Sequence, residues 1–356
     1  MTVQANGPMR RRLRSRRALL VLAALAVLVF LGRLVWINGV FSSVPTGFAG
    51  SCKVAGTLPG VEDIESANGV TFVSVGSARG PDARDGIYVF SEDGKLTRLA
   101  GAPKDFHPRG IGLYRSPDGS GIFLLAVNRR SSGRSSIDSF EVTNPKTSPA
   151  LVAQGTIESG ILTDPQDVAA AGPGAFYVTN GSAKQNIVRS LASWGALPGS
   201  DILYFNGMSF RTVAEDMYGA RGLLLTPDGA HLLVASLTTR SVKSFSREGF
   251  SGNLTEAGSL TLDAAPEKIS FDSRGDLWVA GHANLLSWRA LAADANHATP
   301  SQIFRVNVIG GVPQDSSQVY GNGGKEIAAA SIAAAAGKRL LIGSSLDSRL
   351  LSCTAN

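Results

Sequence analysis

Two kinds of apolar pattern divide the chain. From Ala18 to Gly32 nearly every residue is apolar, and after Arg33 the run continues through Leu34-Val35-Trp36-Ile37. That is about twenty residues, enough for a helix to span a bilayer, with Arg33 able to snorkel and Trp36 suited to the interface. Further on, short apolar stretches follow turn residues. Asn68-Gly69 leads into Val70–Ser74, Ser116-Pro117-Asp118-Gly119 into Gly121–Val127, and Gly172-Pro173-Gly174 into Ala175–Val178. Thr226-Pro227-Asp228-Gly229 leads into His231–Ala235, Asp272-Ser273-Arg274-Gly275 into Asp276–Ala280, and Gly337 into Lys338–Gly343.

Gly and Asp-Gly supply turn dihedrals, and the apolar runs that follow read as buried strands. A second strand-like run follows each unit, such as Ile137–Val142 or Ser241–Phe245. About six such units, roughly 45 to 60 residues apart, match the period of propeller blades. The pattern predicts an all-β chain, a six-bladed β-propeller with an N-terminal transmembrane helix. Its parts are a basic cytoplasmic tail (1–17), a transmembrane signal anchor (18–37), a linker (38–51) and the propeller (52–356). Helix is expected elsewhere only at Lys184–Trp194 and Glu326–Ala336.

Composition agrees. Glycine is abundant (41 of 356 residues), charged residues make up 17% and aromatics 7%, which favours short strands and tight turns. The formal charge of +6 changes meaning once located. Seven arginines (Arg10, Arg11, Arg12, Arg14, Arg16, Arg17 and Arg33) precede Cys52 with no acid or lysine among them, leaving a formal −1 for the rest. The excess belongs to the tail, which would attract anionic lipid, and a nucleic-acid partner is not expected. By the positive-inside rule the arginines stay in the cytoplasm and the propeller lies on the extracytoplasmic side. A cleaved signal peptide is the competing reading, but no small-x-small cleavage site directly follows the apolar run.

Two cysteines, Cys52 and Cys353, stand at the ends of the globular part. In an oxidising compartment that placement predicts one disulfide holding the termini together, with two free thiols as the alternative. A zinc or redox motif is excluded by number and spacing. No nucleophile elbow, P-loop or His-Glu-x-x-His motif occurs. Asn180-Gly181-Ser182 and Asn253-Leu254-Thr255 are sequons that matter only in a host that glycosylates exported proteins.

Candidate chemistry begins at Gly60-Val61-Glu62-Asp63-Ile64. Neighbouring side chains of an extended segment point in different directions, so Glu62 and Asp63 can serve separate sites. Together with Pro108-Arg109-Gly110-Ile111, Gln166-Asp167-Val168-Ala169 and Asp276-Leu277-Trp278-Val279-Ala280-Gly281-His282, this segment resembles the paraoxonase family of arylesterases and lactonases, calcium-dependent six-bladed propellers. The likeness runs from Cys52 to Cys353.

The resemblance implies a structural calcium ion in the central tunnel, bound by Asp63, Asp167 and the main-chain oxygen of Ile111; such oxygens suit a hard cation. A catalytic calcium is implied on a ring of oxygen donors, of which Glu62 is kept and Gln166 replaces an asparagine. Two further positions are the cations Arg221 and Lys268, and Glu267 stands for an aspartate. Arginine and lysine have no lone pair to offer at neutral pH, so the catalytic calcium is predicted absent. A salt-bridge cluster of Glu62, Glu267, Arg221 and Lys268 is expected in its place. The family's histidine dyad falls on Arg109 and Arg129, neither of which is a general base. His107 lies beside the first position, and His282 matches a pocket histidine and is the best remaining base. Two functions follow as expectations: a membrane-tethered hydrolase of small esters or lactones with a rebuilt site, or a propeller that has lost catalysis and serves as an extracytoplasmic binding or scaffold domain.

Overall fold

The computed structural model describes residues 7–355 except 117, 119, 120, 146, 182–190, 193, 196 and 250, with side chains described from residue 17 onward. Helix α1 (Gly7–Ile37) comes first. Its segment from Arg17 to Ile37 is apolar and long enough to cross a membrane, and its large apolar side chains other than Leu34 and Ile37 are exposed. Two strands follow, β1 (Gly47–Phe48) and β2 (Gly50–Thr57).

The chain then lays down antiparallel sheets in sequence. Blade one contains β3 (Val61–Ala67), β4 (Val70–Val75), β5 (Gly86–Phe90) and β6 (Leu96–Arg98). Blade two contains β7 (Pro108–Arg115), β8 (Ile122–Arg129), β9 (Ser135–Thr143) and β10 (Ala150–Glu158). Blade three contains β11 (Pro165–Gly172), β12 (Ala175–Gly181), β13 (Ser200–Phe205) and β14 (Phe210–Met217). Blade four contains β15 (Ala220–Leu225), β16 (His231–Ser236), β17 (Ser241–Arg247) and β18 (Leu254–Thr261). In blade five, β19 (Ala265–Phe271) and β20 (Leu277–His282) are followed by helix α2 (Leu285–Ala293), then β21 (Ser301–Ile309) and β22 (Val312–Asn322). Blade six has β23 (Ile332–Ala336), β24 (Arg339–Gly343) and β25 (Arg349–Ala355), completed on its outer edge by β2.

The first strands of the six blades contact one another around the central tunnel. Strand alternation explains how each sheet serves two neighbours. Phe72 faces the layer it shares with Ile111, Leu124 and Phe140 of blade two, whereas Val73 and Val75 pack with Ile332, Leu341 and Leu350 of blade six. Each of the other four blade boundaries has a buried apolar layer of its own.

The ring closes through the N-terminal strands. Strand β2 pairs with β25 so that Cys52 lies opposite Cys353, and the two form a disulfide across 301 residues. Within residues 38–51, read as a linker, the two ends of the stretch touch the propeller while most of it is exposed. Ile37 and Asn38 are buried, and β1 adds to the edge of blade five through Gly47–Gly321 and Phe48–Tyr320.

Helix content differs from expectation in two places. The stretch Glu326–Ala336 is not a helix: it is turn-like and then becomes β23, the inner strand of blade six, buried from Ile332 to Ala334. Its alanines suit a helix by propensity, but the small side chains fill the crowded tunnel wall instead. The expected helix Lys184–Trp194 falls largely on residues outside those described. Helix α2 was not foreseen. Asn284 caps it, its side chain accepting hydrogen bonds from the main-chain N–H groups of Leu286 and Ser287.

Candidate functional site at the tunnel mouth

Five of the six inner strands carry a β-bulge near their start. The register shifts lie between Val61 and Asp63, Pro108 and Ile111, Pro165 and Asp167, Ala220 and Leu223, and Pro266 and Ile269. A bulge inserts an extra residue and re-aims the side chains around it. Glu62, Arg109, Gln166, Arg221, Glu267 and Lys268 are all bulge residues or their neighbours, and each thereby leaves strict alternation.

Two groups of side chains result. The deeper one is centred on Lys268. Its ammonium lies 3.0 Å from Asp167 Oδ1, 3.7 Å from Asp63 Oδ2 and 3.1 Å from the main-chain oxygen of Gln166, to which it donates. Both carboxylates also accept main-chain hydrogen bonds: Asp63 from Ile64 (2.9 Å) and Ile111 (2.9 Å), Asp167 from Val168 (2.9 Å) and Leu223 (2.7 Å). All three charged residues are buried. Burial opposes charge on the ammonium, but Asp167 and Asp63 outweigh it and raise the Lys268 pKa. Burial pushes Asp167 up to about 8, against the pull of Lys268 and with the help of Asp63. Glu65, two residues from Asp63 and so on the same strand face, is held well above the usual carboxylate range by burial and then by Asp63 and Asp167. Period-two alternation from Asp63 was the signal that would have found it.

The second group lies at the mouth. The Glu267 carboxylate is 2.5 Å from Nε2 of His282, a fully buried residue. Burial would raise Glu267, but the contact with His282, together with Arg221 and Lys268, outweighs it and the net direction is down. Nδ1 of His282 has no partner among the described residues. Arg221 donates to Gln166 Oε1 at 2.8 Å, and its guanidinium lies 5.8 Å from the ring centre of Trp288. Trp288, on α2, stacks on His282 at 5.4 Å between ring centres. Arg109 donates to Asp164 at 3.3 Å.

Glu62 completes the mouth and makes no hydrogen bond or ion pair with the described residues. Burial drives its pKa up to about 7, with Arg109 opposing, Glu267 reinforcing, and Lys268 and Arg221 opposing more weakly.

The expected four-charge cluster is therefore differently wired. Lys268 turns to Asp63 and Asp167, Glu267 to His282, and Arg221 to the Gln166 amide. The reason is the bulge in β19, which sends the adjacent Glu267 and Lys268 to different depths. His107 sits in a turn network, with Nδ1 2.7 Å from Asp85 and Nε2 3.2 Å from both Ser131 Oγ and Asp105 Oδ1. Arg129 is exposed at the end of β8. Neither is drawn to Glu62 by any contact among the described residues. Asp164 and Trp288 were missed because nothing local marks them; their roles depend on which blades meet.

The mouth also receives the end of α1. The main-chain N–H of Leu285, at the start of α2, donates to the Asn38 oxygen (3.0 Å), and Arg289 donates to the Asn38 side chain (2.8 Å). Arg240 donates to the main-chain oxygens of Ile37 and Ala283.

Fold and site together define a six-bladed propeller whose reactive groups line the mouth of its central tunnel. The arylesterase family profile matches residues 95–354, and the chain belongs to that family. It is 27% identical to serum paraoxonase/arylesterase 2 of Gallus gallus, over 90% of this chain and 93% of that one. It is also 27% identical to serum paraoxonase/arylesterase 1 of Homo sapiens, over 82% and 84% respectively. A solved luciferin-regenerating enzyme shares the fold at a TM-score of 0.53 and 10% identity, over 86% of this chain and 95% of that one.

The calcium sites implied by the family do not fit the residues as arranged. At the deeper position the Lys268 ammonium already stands against both carboxylates, and Ile111 offers Asp63 its N–H. At the mouth, Gln166 Oε1 is engaged by a guanidinium and Glu267 by an imidazole. Among the described residues no group of three or more His, Cys, Asp or Glu side chains is placed to hold a metal ion.

Proposed function

We propose that the protein is a membrane-tethered hydrolase of small carboxylic esters or lactones, working at the tunnel mouth through its own side chains. The observation that carries this reading is Glu62, a half-buried carboxylate that makes no hydrogen bond or ion pair with the described residues and whose pKa burial pushes up to about 7 against Arg109 and Arg221, in a chain of the arylesterase family. A base is most useful when its pKa lies near the working pH. Ionised Glu62 takes a proton from water as the water oxygen bonds to the ester carbonyl carbon. Arg221 or Arg109 stabilises the negative charge that develops on the carbonyl oxygen. Collapse of the tetrahedral intermediate breaks the bond to the leaving oxygen, which receives the proton back from Glu62. The hydrogen bond between Glu267 and His282 fixes the wall beside this position.

The tether is supported by the way α1 ends. Ile37 and Asn38 are bonded into the propeller beside α2, so cleavage after them would remove contacts that the folded domain uses. The arginine-rich tail favours a cytoplasmic N-terminus, and the disulfide suits an oxidising compartment outside it.

Hydrolysis of phenyl acetate and a panel of lactones, with and without a chelator, tests the reading. Activity that survives chelation supports it, and activity lost with the chelator would mean a metal does the work assigned here to Glu62. A second reading, a binding or scaffold propeller, is favoured by Arg109 and Arg129 at the positions matching the family's histidine dyad. Absence of turnover on every substrate would select it.

A further inference from the structure

We infer that Lys268 is the resident cation of the Asp63–Asp167 site, an ammonium that takes the place of a divalent ion in holding the inner strands of blades one to five together. The geometry is that of a built site. Nζ meets three oxygens, two from carboxylates and one from a main-chain carbonyl, in a pocket from which solvent is excluded. The carboxylates reach further, to the N–H groups of Ile111 on β7 and Leu223 on β15. One buried cluster thus ties β3, β7, β11, β15 and β19.

Gly110 is the second observation. A Cβ there would lie 2.1 Å from Asp167 Oδ1 and 2.6 Å from Lys268 Nζ. The ammonium needs the space that a glycine leaves. This conclusion is independent of whether the mouth hydrolyses esters.

The test uses the full chain in detergent micelles, reading thermal unfolding and bound metal. Wild-type protein is expected to melt within about 1 °C of the same temperature in chelator and in millimolar calcium, and to retain less than a stoichiometric amount of calcium after dialysis. Lys268→Asn removes the ammonium and offers a neutral oxygen. It should melt about 5 to 10 °C lower in chelator, as expected when one partner of a buried ion cluster is lost, and calcium should recover most of that loss. A wild-type protein that holds one calcium per chain and loses stability with the chelator would overturn the inference. So would a Lys268→Asn protein that melts like wild type in chelator, or one whose loss calcium does not relieve. Should Lys268→Asn fail to fold, the wild-type measurements decide alone.

Discussion

The two charged groups of the tunnel are built from neighbouring residues on the same strands, yet they are finished differently. In the deeper group each carboxylate accepts two main-chain N–H bonds and faces an ammonium, and every partner is buried. At the mouth, Glu62 is bonded to no described residue, and Nδ1 of His282 and Nε1 of Trp288 have no partner among the described residues either. Fully satisfied buried polar networks rigidify a fold, whereas unsatisfied ones are candidates for contact with another molecule. On the proposed reading, adjacent residues in each bulge divide the labour: Asp63 and Lys268 would hold the ring, while Glu62 and Glu267 would face what enters it.

The strongest way to break this comparison is to remove the charge of Glu62. Glu62→Gln should lower kcat/KM for phenyl acetate by about 10³-fold, in the range of a lost general base, without lowering the melting temperature. Unchanged turnover would move the catalytic role elsewhere. The opposite result is expected from Gly110→Ala, whose methyl group drives into Asp167 and Lys268. It should cost about 2 to 3 kcal/mol of stability through overpacking, while activity per folded molecule stays within about twofold. If Gly110→Ala abolished turnover in protein still folded, the two groups would not be separable.

Much of the frame was legible in the sequence. Asn68-Gly69, Thr226-Pro227-Asp228-Gly229 and Asp272–Gly275 each open a strand where turn chemistry says they should, and Cys52 and Cys353 announce the closure. Glu326–Ala336 misled because helix propensity is a weak prior that burial between blades overrides. The site was legible in membership but not in wiring. Glu62, Gln166, Arg221, Glu267 and Lys268 do meet in the tunnel, but a bulge sets each side chain's aim, and bulges leave no mark in residue identity. Trp288 reaches the site on helix α2, which was not foreseen.

The pH profile sharpens the distinction further. Turnover should rise with pH through about 7 as Glu62 loses its proton. The stability consequence has the opposite sign. The folded protein holds this proton up to about 7 while the unfolded chain releases it near the ordinary value of 4.5, so Glu62 lowers stability as pH rises across that window. Comparing wild type with Glu62→Gln in thermal melts at pH 5 and pH 8 isolates the effect: the variant should gain on wild type at the higher pH. Equal differences at both values would mean that Glu62 is not held protonated.

The smallest effects separate two arginines that the family pattern treats as a pair. Arg109 is partly buried, donates to Asp164 and lowers the pKa of Glu62, whereas Arg129 is exposed at the end of β8. Arg109→Ala removes the largest opposing charge, so burial acts with less restraint and the midpoint of the pH–rate profile should move upward. Arg129→Ala should leave that midpoint in place and change stability by no more than about 0.5 kcal/mol, as for other surface substitutions. A midpoint shifted equally by both would put Arg129 within the field of Glu62. The mouth would then extend along β8 to a side chain that the folded chain otherwise presents to solvent.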